Sequence, residues 1–335
     1  MPTHKKPEAE RFKGPAKYAE YLVARVLVSS LQRLPIRLAY RLGRGAGWLA
    51  WKLLKRRRAT VRKNLEVVHA WMDARSAEHL TSNIQHRTSN KENPQVSSFS
   101  PHPSNPPSLE SQIREVFLRS GANLFAGFTF NRMTPEQVGK HIRIEGLEHL
   151  KTALARGRGA IILLAHMGPW EALSQLPGLA HKYGIQAPFG AMFRPFNNRY
   201  LDDWFQAERE GQGTRLFSRR DGFHKPVDFL RSGGMLGILS DQKMREGPKV
   251  PYFGVMTPTS PVAGLFKRRS GAAMLAVSVE TLAPAEWQIT VHPVDWPEVI
   301  APKDRAMPTR ACNAALEKAL AESPLDGFWL HERFR

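Results

Sequence analysis

This sequence of 335 residues is poor in cysteine, and this scarcity limits the classes of protein to which it can belong. Cys312 is the single cysteine, so no disulfide can form within the chain. The Cys and His residues also lack the spacing of a zinc site. We therefore expect a protein that works on the reducing side of any membrane it contacts, with no bound metal.

Long apolar runs are also missing. A standard spanning helix needs about 20 predominantly apolar residues, and the best candidate, residues 21–31, is short and contains Arg25. The N-terminus also lacks a compact apolar core followed by a small-residue cleavage site, so we expect no cleavable signal peptide. Hydrophobic residues still make up 42% of the chain, which is typical of a globular protein.

Acidic residues are few relative to basic ones. The chain has 49 Lys and Arg against 30 Asp and Glu, and residues 1–75 hold 18 of those bases and 5 of those acids. A net charge of +19 indicates an anionic partner, which could be nucleic acid, an anionic membrane surface, or an acidic protein or substrate.

The position of the bases favours a membrane surface. Trp48, Trp51 and the polybasic run 55–58 accompany an apolar stripe, a pattern typical of helices that lie in the lipid interface. A surface helix that packs on its own domain, with a solvated basic face, is the alternative. No nucleic-acid-binding motif is present, and we expect no nucleic acid partner.

Composition divides the chain into three parts. Residues 1–75 are predicted to form basic, amphipathic membrane-associating helices. Residues 76–111 contain nine Ser, five Pro and four Asn, and we interpret them as a disordered insertion, because they cannot bury enough apolar area to offset chain entropy. Residues 112–335 are predicted to form an α/β domain.

The C-terminal part alternates apolar strands with helical segments. Such a pattern predicts a central sheet flanked by helices on both faces, with sites at the carboxyl ends of strands. The predicted strands are 141–146, 159–166, 187–194, 214–218, 235–241, 272–280 and 287–294. The predicted helices are 113–130, 147–155, 169–182, 197–211, 223–232, 260–270 and 308–323.

One strand end carries an imidazole and a nearby carboxylate. His166 closes the most apolar strand, and Glu171 follows after Gly168 and Pro169. On one continuous helix these side chains would lie about 140° apart, whereas a strand–turn–helix could fold the carboxylate back toward the imidazole. A carboxylate on Nδ1 fixes the tautomer and leaves Nε2 free to accept a proton. The alternative is a strand-end histidine beside an unrelated surface glutamate.

Polar side chains follow two other predicted strands. Arg194 precedes a helix expected to begin at Asn197 or Asn198, and a guanidinium at a helix N-terminus could bind an anion. Asp241 and Gln242 close a further strand and could position a substrate or a neighbouring arginine. A simple N-cap and a turn-forming aspartate are the respective alternatives. The aromatic loop 251–261 could line an acyl channel or cover the core.

Taken in order, "AHMGPWE", "FRPFNN", "SDQ" followed by "PYFG", and the closing "WLHERFR" resemble the lipid A biosynthesis acyltransferases of the late, lauroyl/myristoyl type. The resemblance covers residues 18–75 and 112–335. It implies a mixed, glycerolipid-acyltransferase-like α/β fold, an enzyme at the cytoplasmic face of the inner membrane, and no cofactor.

The resemblance also implies roles for individual residues. His166 is expected to be the general base and Glu171 its partner, while Arg194, Asn198, Asp241 and Gln242 are expected to bind substrate. His331 and Arg333 match the closing signature of the family. The expected reaction moves a fatty acyl chain from an acyl carrier protein thioester to a hydroxyl of a lipid A precursor. A thioester is already activated, so no metal is required.

Three departures from the family pattern accompany the match. The N-terminal helix is short and interrupted by arginine, residues 76–111 replace ordered chain, and Pro169 stands where the family often has Asn or a small residue. Two other functions also fit the residues. One is transfer to another phospholipid or glycolipid, and the other is a non-enzymatic basic protein of the membrane surface.

Overall fold

The first part of the molecule is a set of helices. This computed structural model describes residues 12–89, 107–218, 222–297, 304 and 306–334. The helices are α1 (Pro15–Leu31), α2 (Ile36–Leu53), α3 (Lys55–Ser89), α4 (Leu109–Thr129) and, after a 3-10 turn at Phe130–Arg132, α5 (Pro135–Val138).

The long third helix differs from expectation. Residues 76–89 were predicted to be disordered, but they continue α3 to Ser89, and α4 begins at Leu109 after Ser108 caps its first turn. The physical reason is that the prolines of this stretch begin at Pro94, so nothing in 76–89 breaks a helix already under way. Residues 90–106 lie outside the described residues.

The rest of the chain alternates strands and helices. Its elements are β1 (Ile142–Glu145), α6 (Leu147–Ala155), β2 (Ala160–Leu164), a 3-10 turn (Trp170–Gln175), α7 (Leu176–Lys182), β3 (Phe189–Phe193), α8 (Arg199–Gly211), β4 (Thr214–Ser218), α9 (His224–Arg231), β5 (Met235–Leu239), β6 (Lys249–Tyr252), β7 (Val255–Pro258), α10 (Val262–Ser270), β8 (Ala273–Ala283), β9 (Glu286–Pro293), α11 (Met307–Glu322) and a 3-10 turn (Pro324–Asp326). Each predicted strand and helix matches an observed element, although 169–182 divides into a 3-10 turn and α7.

Within the described residues, seven strands form one mixed sheet in the order β1-β9-β8-β2-β5-β3-β4. The strands β2, β3, β4, β5 and β8 are parallel, β9 is antiparallel to β8, and β1 is parallel to β9. All five residues of β2 are buried, as expected of a central strand covered on both faces. The mixed α/β prediction is confirmed.

The aromatic loop 251–261 contains a hairpin that the sequence analysis missed. In β6 the side chains of Val250 and Tyr252 are buried while Pro251 is exposed, the alternation of a half-buried strand. Phe253 and Gly254 both have positive φ, which suits a two-residue hairpin turn. Tyr252 and Phe253 belong to the main hydrophobic core, so this part of the loop covers the core.

The N-terminal helices pack directly on the α/β part. On α2, Gly43 and Gly47 lie against Gly121 of α4, where a Cβ on Gly47 would meet the Phe117 carbonyl oxygen at 2.2 Å. On α1, the rings of Tyr18 and Tyr21 contact Tyr200 of α8. The glycines therefore permit a helix approach that any larger residue would prevent.

The opposite face of the first two helices is apolar and exposed. On α1 the exposed side chains are Leu22, Val23, Val26 and Leu27, and on α2 they are Leu38, Leu42, Trp48, Leu49 and Leu53. We call this set the apolar face. Among the described residues, no helix combines the length and the apolar character needed to cross a membrane.

Candidate active site

Two neighbouring parallel strands bring the central pair of the site together. The register of β2 and β5 aligns Leu164 with Leu239, and the Ser240 N–H donates to the Leu164 carbonyl oxygen at 3.1 Å. His166 and Asp241 each follow that aligned pair by two residues. They therefore leave the sheet side by side at its carboxyl edge, where sites form in α/β proteins.

The imidazole and this aspartate are hydrogen-bonded. His166 Nδ1 lies 2.7 Å from Asp241 Oδ1, and the two side chains are 18% and 6% exposed. On the other ring nitrogen, the Gln242 amide Nε2 lies 3.3 Å from His166 Nε2. These contacts favour the neutral tautomer in which Nδ1–H donates to Asp241 and Nε2 accepts. His166 is thereby prepared to take a proton on Nε2.

The two groups shift each other's pKa. Burial alone would lower the pKa of His166, but the charge and hydrogen bond of Asp241, aided by the charge of Glu171, raise it above its ordinary value. Burial likewise acts to raise the pKa of Asp241, yet His166 and more distantly His331 lower it. The aspartate therefore stays ionised and stabilises a positive charge on the imidazole.

The partner of Nδ1 is thus Asp241. The sequence analysis expected Glu171 at this nitrogen, and the structure corrects that expectation. Glu171 is the second residue of the 3-10 turn at Trp170–Gln175 and forms an ion pair with Arg209 of α8, with Oε2 and Nη2 3.0 Å apart. The guanidinium of Arg209 also lies over the Phe205 ring. The 3-10 turn directs Glu171 toward α8, although its charge still acts on His166.

The motif after β3 differs from the predicted anion site. Asn198 caps α8 by accepting from the N–H groups of Tyr200 and Leu201, and its amide donates to the Lys17 carbonyl oxygen at 2.7 Å. The Arg199 N–H is also occupied, by the carbonyl oxygen of Phe12. The backbone N–H groups from Arg199 to Leu201 are therefore all bonded within the protein, and Asn198 acts as the N-cap of α8. Arg194 is exposed beside β3.

The C-terminal segment completes the site, and sequence reasoning gave it no definite role. We call residues 326–331 the C-terminal strap and residues 166–168 the His166 turn. The Phe328 N–H donates to the His166 carbonyl oxygen at 2.7 Å, and Met167 forms a β-bridge with Gly327. The strap therefore extends the sheet edge beneath the imidazole. Its only sequence signal was the closing "WLHERFR" motif.

The two matched residues of that motif lie behind the site. His331 Nδ1 is 3.1 Å from the Phe328 carbonyl oxygen, and burial, its largest influence, lowers its pKa. Arg333 is fully buried, donates to the Pro258 carbonyl oxygen and the Thr259 hydroxyl, and lies over the Tyr252 ring. The charge of Asp241 reaches both groups.

An apolar environment surrounds the turn. Trp170 contacts the His166 ring edge-on at 5.7 Å between centroids and also contacts Phe328. Beneath the turn lies a cavity of about 30 Å³ lined by apolar side chains, including Leu164, Met167, Trp170, Val277 and Val279. Its volume suits about one water molecule and does not hold a fatty acyl chain. Within the described residues, no cluster of His, Cys, Asp and Glu could hold a metal ion.

The fold and the site define an α/β protein with a histidine–carboxylate pair at the carboxyl edge of its sheet, the arrangement used for general-base chemistry. Comparison with known sequences then fixes the family. The model of the bacterial lipid A biosynthesis acyltransferases matches residues 5–83 and 108–335. The chain belongs to this family and is an acyltransferase.

Its relatives include two enzymes of Escherichia coli strain K12. The lipid A biosynthesis palmitoleoyltransferase is 25% identical over 308 residues, and the lipid A biosynthesis lauroyltransferase is 24% identical over 314 residues. Each alignment covers 90% of this chain and 87% of the relative. A phosphatidylinositol mannoside acyltransferase of Mycobacterium tuberculosis is 27% identical over 139 residues, which cover 39% of this chain and 42% of that enzyme.

Proposed function

We propose that this enzyme transfers a fatty acyl chain from an acyl carrier protein thioester to a hydroxyl of a lipid A precursor, with His166 as the general base. The observation that carries the proposal is the 2.7 Å contact between His166 Nδ1 and Asp241 in a member of this family. The near full-length similarity to two lipid A acyltransferases supports the acceptor class.

The reaction follows from the two ring nitrogens. The acceptor hydroxyl replaces the Gln242 amide at Nε2 and loses its proton to that nitrogen as its oxygen attacks the thioester carbonyl. Asp241 stabilises the imidazolium that forms and keeps Nε2 pointed at the hydroxyl. Collapse of the tetrahedral intermediate expels the carrier thiolate, which regains a proton from the imidazolium. The products are the acyl ester and the free carrier thiol.

Arg194 is proposed to act on the substrates rather than on the pair. It follows β3 at the same sheet edge as His166 and is exposed. From there, its guanidinium could bind a phosphate of the acceptor or stabilise the developing oxyanion, a role that elsewhere contributes about 2.7–4 kcal/mol.

The donor is proposed to dock beside the start of α3. Lys55, Arg56, Arg57, Arg62 and Lys63 are exposed there, and the Arg57 guanidinium donates to the Leu330 carbonyl oxygen of the C-terminal strap. This basic surface therefore adjoins the segment that supports His166. An acidic carrier protein would be attracted to it, and its association should slow as salt rises.

The apolar face of α1 and α2 is proposed to lie in the interface of the cytoplasmic leaflet of the inner membrane. Leu38, Leu42, Leu49 and Leu53 form one stripe along α2, flanked by exposed Arg37, Arg41 and Lys52. Flotation of the full chain with anionic vesicles should weaken in Leu42→Glu and Leu49→Glu. The matched control is Met256→Glu, which alters an exposed residue of β7. Equal flotation of all variants would contradict the attachment.

A second acceptor class has a specific observation in its favour. Over 139 residues the chain resembles a phosphatidylinositol mannoside acyltransferase, so a glycosylated phospholipid is the alternative acceptor. The same pair of residues would serve that reaction unchanged.

The test offers the full chain a series of acyl carrier protein thioesters with a bacterial lipid extract, and identifies products by mass. A lipid A precursor that gains one acyl chain is expected. His166→Ala should reduce transfer by about 10²–10⁴-fold, whereas His149→Ala, on α6 at the opposite edge of the sheet, should leave it unchanged. Near-normal turnover by His166→Ala would exclude it as the base, and an acylated phospholipid product would establish the alternative acceptor.

A further inference from the structure

Asp326 lies at a buried junction of several elements. Its side chain is fully buried and accepts hydrogen bonds from Arg119 Nη1 at 2.7 Å, the Thr281 N–H at 2.9 Å and the Ser323 hydroxyl at 2.7 Å. Asn123 and the Thr281 hydroxyl also donate to it. These partners belong to α4, β8 and the turn before the strap, so one carboxylate joins three separate parts of the fold.

The backbone at this position holds the His166 turn. The Gly168 N–H donates to the Asp326 carbonyl oxygen at 3.0 Å, the Met167–Gly327 bridge follows, and the Phe328 N–H donates to the His166 carbonyl oxygen. Gly168 has a φ of +57°, and a Cβ there would meet the Val279 side chain at 2.4 Å. The turn therefore has little freedom to move except together with the strap.

Asp326 is also the inner end of a chain of charges. Arg44 of α2 pairs with Glu115 of α4 at 2.9 Å, Glu115 pairs with Arg119 at 3.2 Å, and Arg119 pairs with Asp326. Burial alone would lower the pKa of Arg119, but Asp326 and Glu115 raise it. Removing one partner of such a buried pair is costly because a charge remains unpaired.

We propose that Asp326, held by Arg119, is a positioning residue for His166. It fixes the C-terminal strap, and the strap fixes the turn that presents the imidazole to Asp241. Asp326 bonds neither to the imidazole nor to a reacting atom, so its effect passes through the backbone. The inference rests on the proposed role of His166 as the base.

The test combines kinetics with a titration that needs no substrate. In Asp326→Asn we expect kcat to fall about 100-fold with KM little changed, as for a catalytic group displaced by about 1 Å. The pKa of His166, followed by NMR of protein labelled with ¹⁵N-histidine and assigned with His166→Gln, should move down toward its ordinary value. The charged groups that act on this imidazole are Asp241, Glu171 and, through Asp241, His331. Arg119→Lys keeps a cation opposite Asp326. The fall in kcat and the fall in the pKa of His166 should therefore both be smaller in this variant than in Asp326→Asn.

Leu150→Ala serves as the control for general destabilisation, since Leu150 is buried on α6 and belongs to neither the contacts of Asp326 nor the C-terminal strap. It should leave the His166 titration in place. If Asp326→Asn does not fold, Thr281→Val removes one hydroxyl donor and should shift the same quantities by a smaller amount. An unchanged titration, with a kcat loss no larger than that of Leu150→Ala, would overturn the inference. A shifted titration in a protein that transfers no acyl chain would support the positioning role and reject the proposed function.

Discussion

Asp241 and Glu171 are the two carboxylates whose charges act most directly on His166, and their surroundings differ. Asp241 is 75 residues away along the chain, yet it bonds Nδ1 at the end of an adjacent strand. Glu171 is five positions away, yet it pairs with Arg209 of another helix. Closeness in sequence therefore did not decide which carboxylate holds the imidazole, whereas strand register did.

The difference also assigns different roles to the two acids. Asp241 is buried and is hydrogen-bonded to the imidazole, so its negative charge is available to stabilise that ring when it takes a proton. The charge of Glu171 is largely balanced by Arg209 at 3.0 Å. We therefore expect Asp241 to matter far more for proton transfer than Glu171, and the predictions below test that ranking.

The largest effect should come from Asp241→Asn. The amide preserves size but can leave Nδ1 as the acceptor, which places the proton on Nε2 and removes the base. We expect kcat to fall about 10³–10⁴-fold with KM little changed, a loss typical of a wrong tautomer. Steady-state kinetics with an acyl carrier protein thioester measure it, with Asp203→Asn, an exposed residue of α8, as the control. A loss of kcat under tenfold would contradict the expectation that Asp241 matters far more than Glu171 for proton transfer.

The same substitution should change the pH profile. A general base must be neutral, so the rate of the wild-type enzyme should rise with pH through the pKa of His166, which Asp241 raises above its ordinary value. Without that carboxylate the pKa falls, and the acid limb of kcat/KM should move to lower pH. A limb that stays in place in Asp241→Asn would mean that another group controls it.

Glu171→Gln should have a smaller effect. Its charge contributes to the raised pKa of His166 from a distance, so removing it lowers kcat by about tenfold or less and moves the acid limb slightly downward. The variant leaves Arg209 unpaired at about one-fifth exposure, and solvent screening limits the loss of stability to about 1 kcal/mol. Kinetics and thermal unfolding, each compared with Glu171→Gln combined with Arg209→Gln, check both effects. A loss as large as that of Asp241→Asn would restore Glu171 as the principal partner.

The sequence predicted the fold well because its strands are short apolar runs bounded by glycine and proline. It also placed His166 and Asp241 at strand ends. What it could not supply was strand order, because adjacency of β2 and β5 depends on how the whole sheet packs, and the register of Leu164 with Leu239 follows from that adjacency. With strand order known, the contact between His166 and Asp241 could have been predicted, because each lies two residues beyond the aligned ends of its strand.

Other parts of the site left weaker signals. In the sequence, Asp326 is typical of an ordinary turn residue. Its contacts with Arg119 and Thr281 join segments far apart in the chain, so they could not be predicted from neighbouring residues. The loop 251–261 was not expected to contain a hairpin, and Pro251 is compatible with β6 because it occupies an exposed position where a proline is tolerated. Residues 76–89 were misjudged because composition was averaged over a stretch whose helix breakers all lie in its second half.

The smallest catalytic effect should come from Asn198→Ala. This variant compares a polar residue that caps a helix with the carboxylates that act on His166. Loss of the N-cap should cost about 1 kcal/mol of stability, and loss of the bond to the Lys17 carbonyl oxygen adds to this by loosening α1 from α8. Thermal unfolding measures the loss, while kcat and KM below the transition should remain within twofold of wild type. Asn198→Asp keeps the oxygen that caps α8 but brings a second negative charge to Glu20, so it should recover stability only in part. A rise in KM for the acceptor without a fall in Tm would instead support the expected role of Asn198 in substrate binding. Asn198 would then belong with Asp241 among the functional residues of the enzyme.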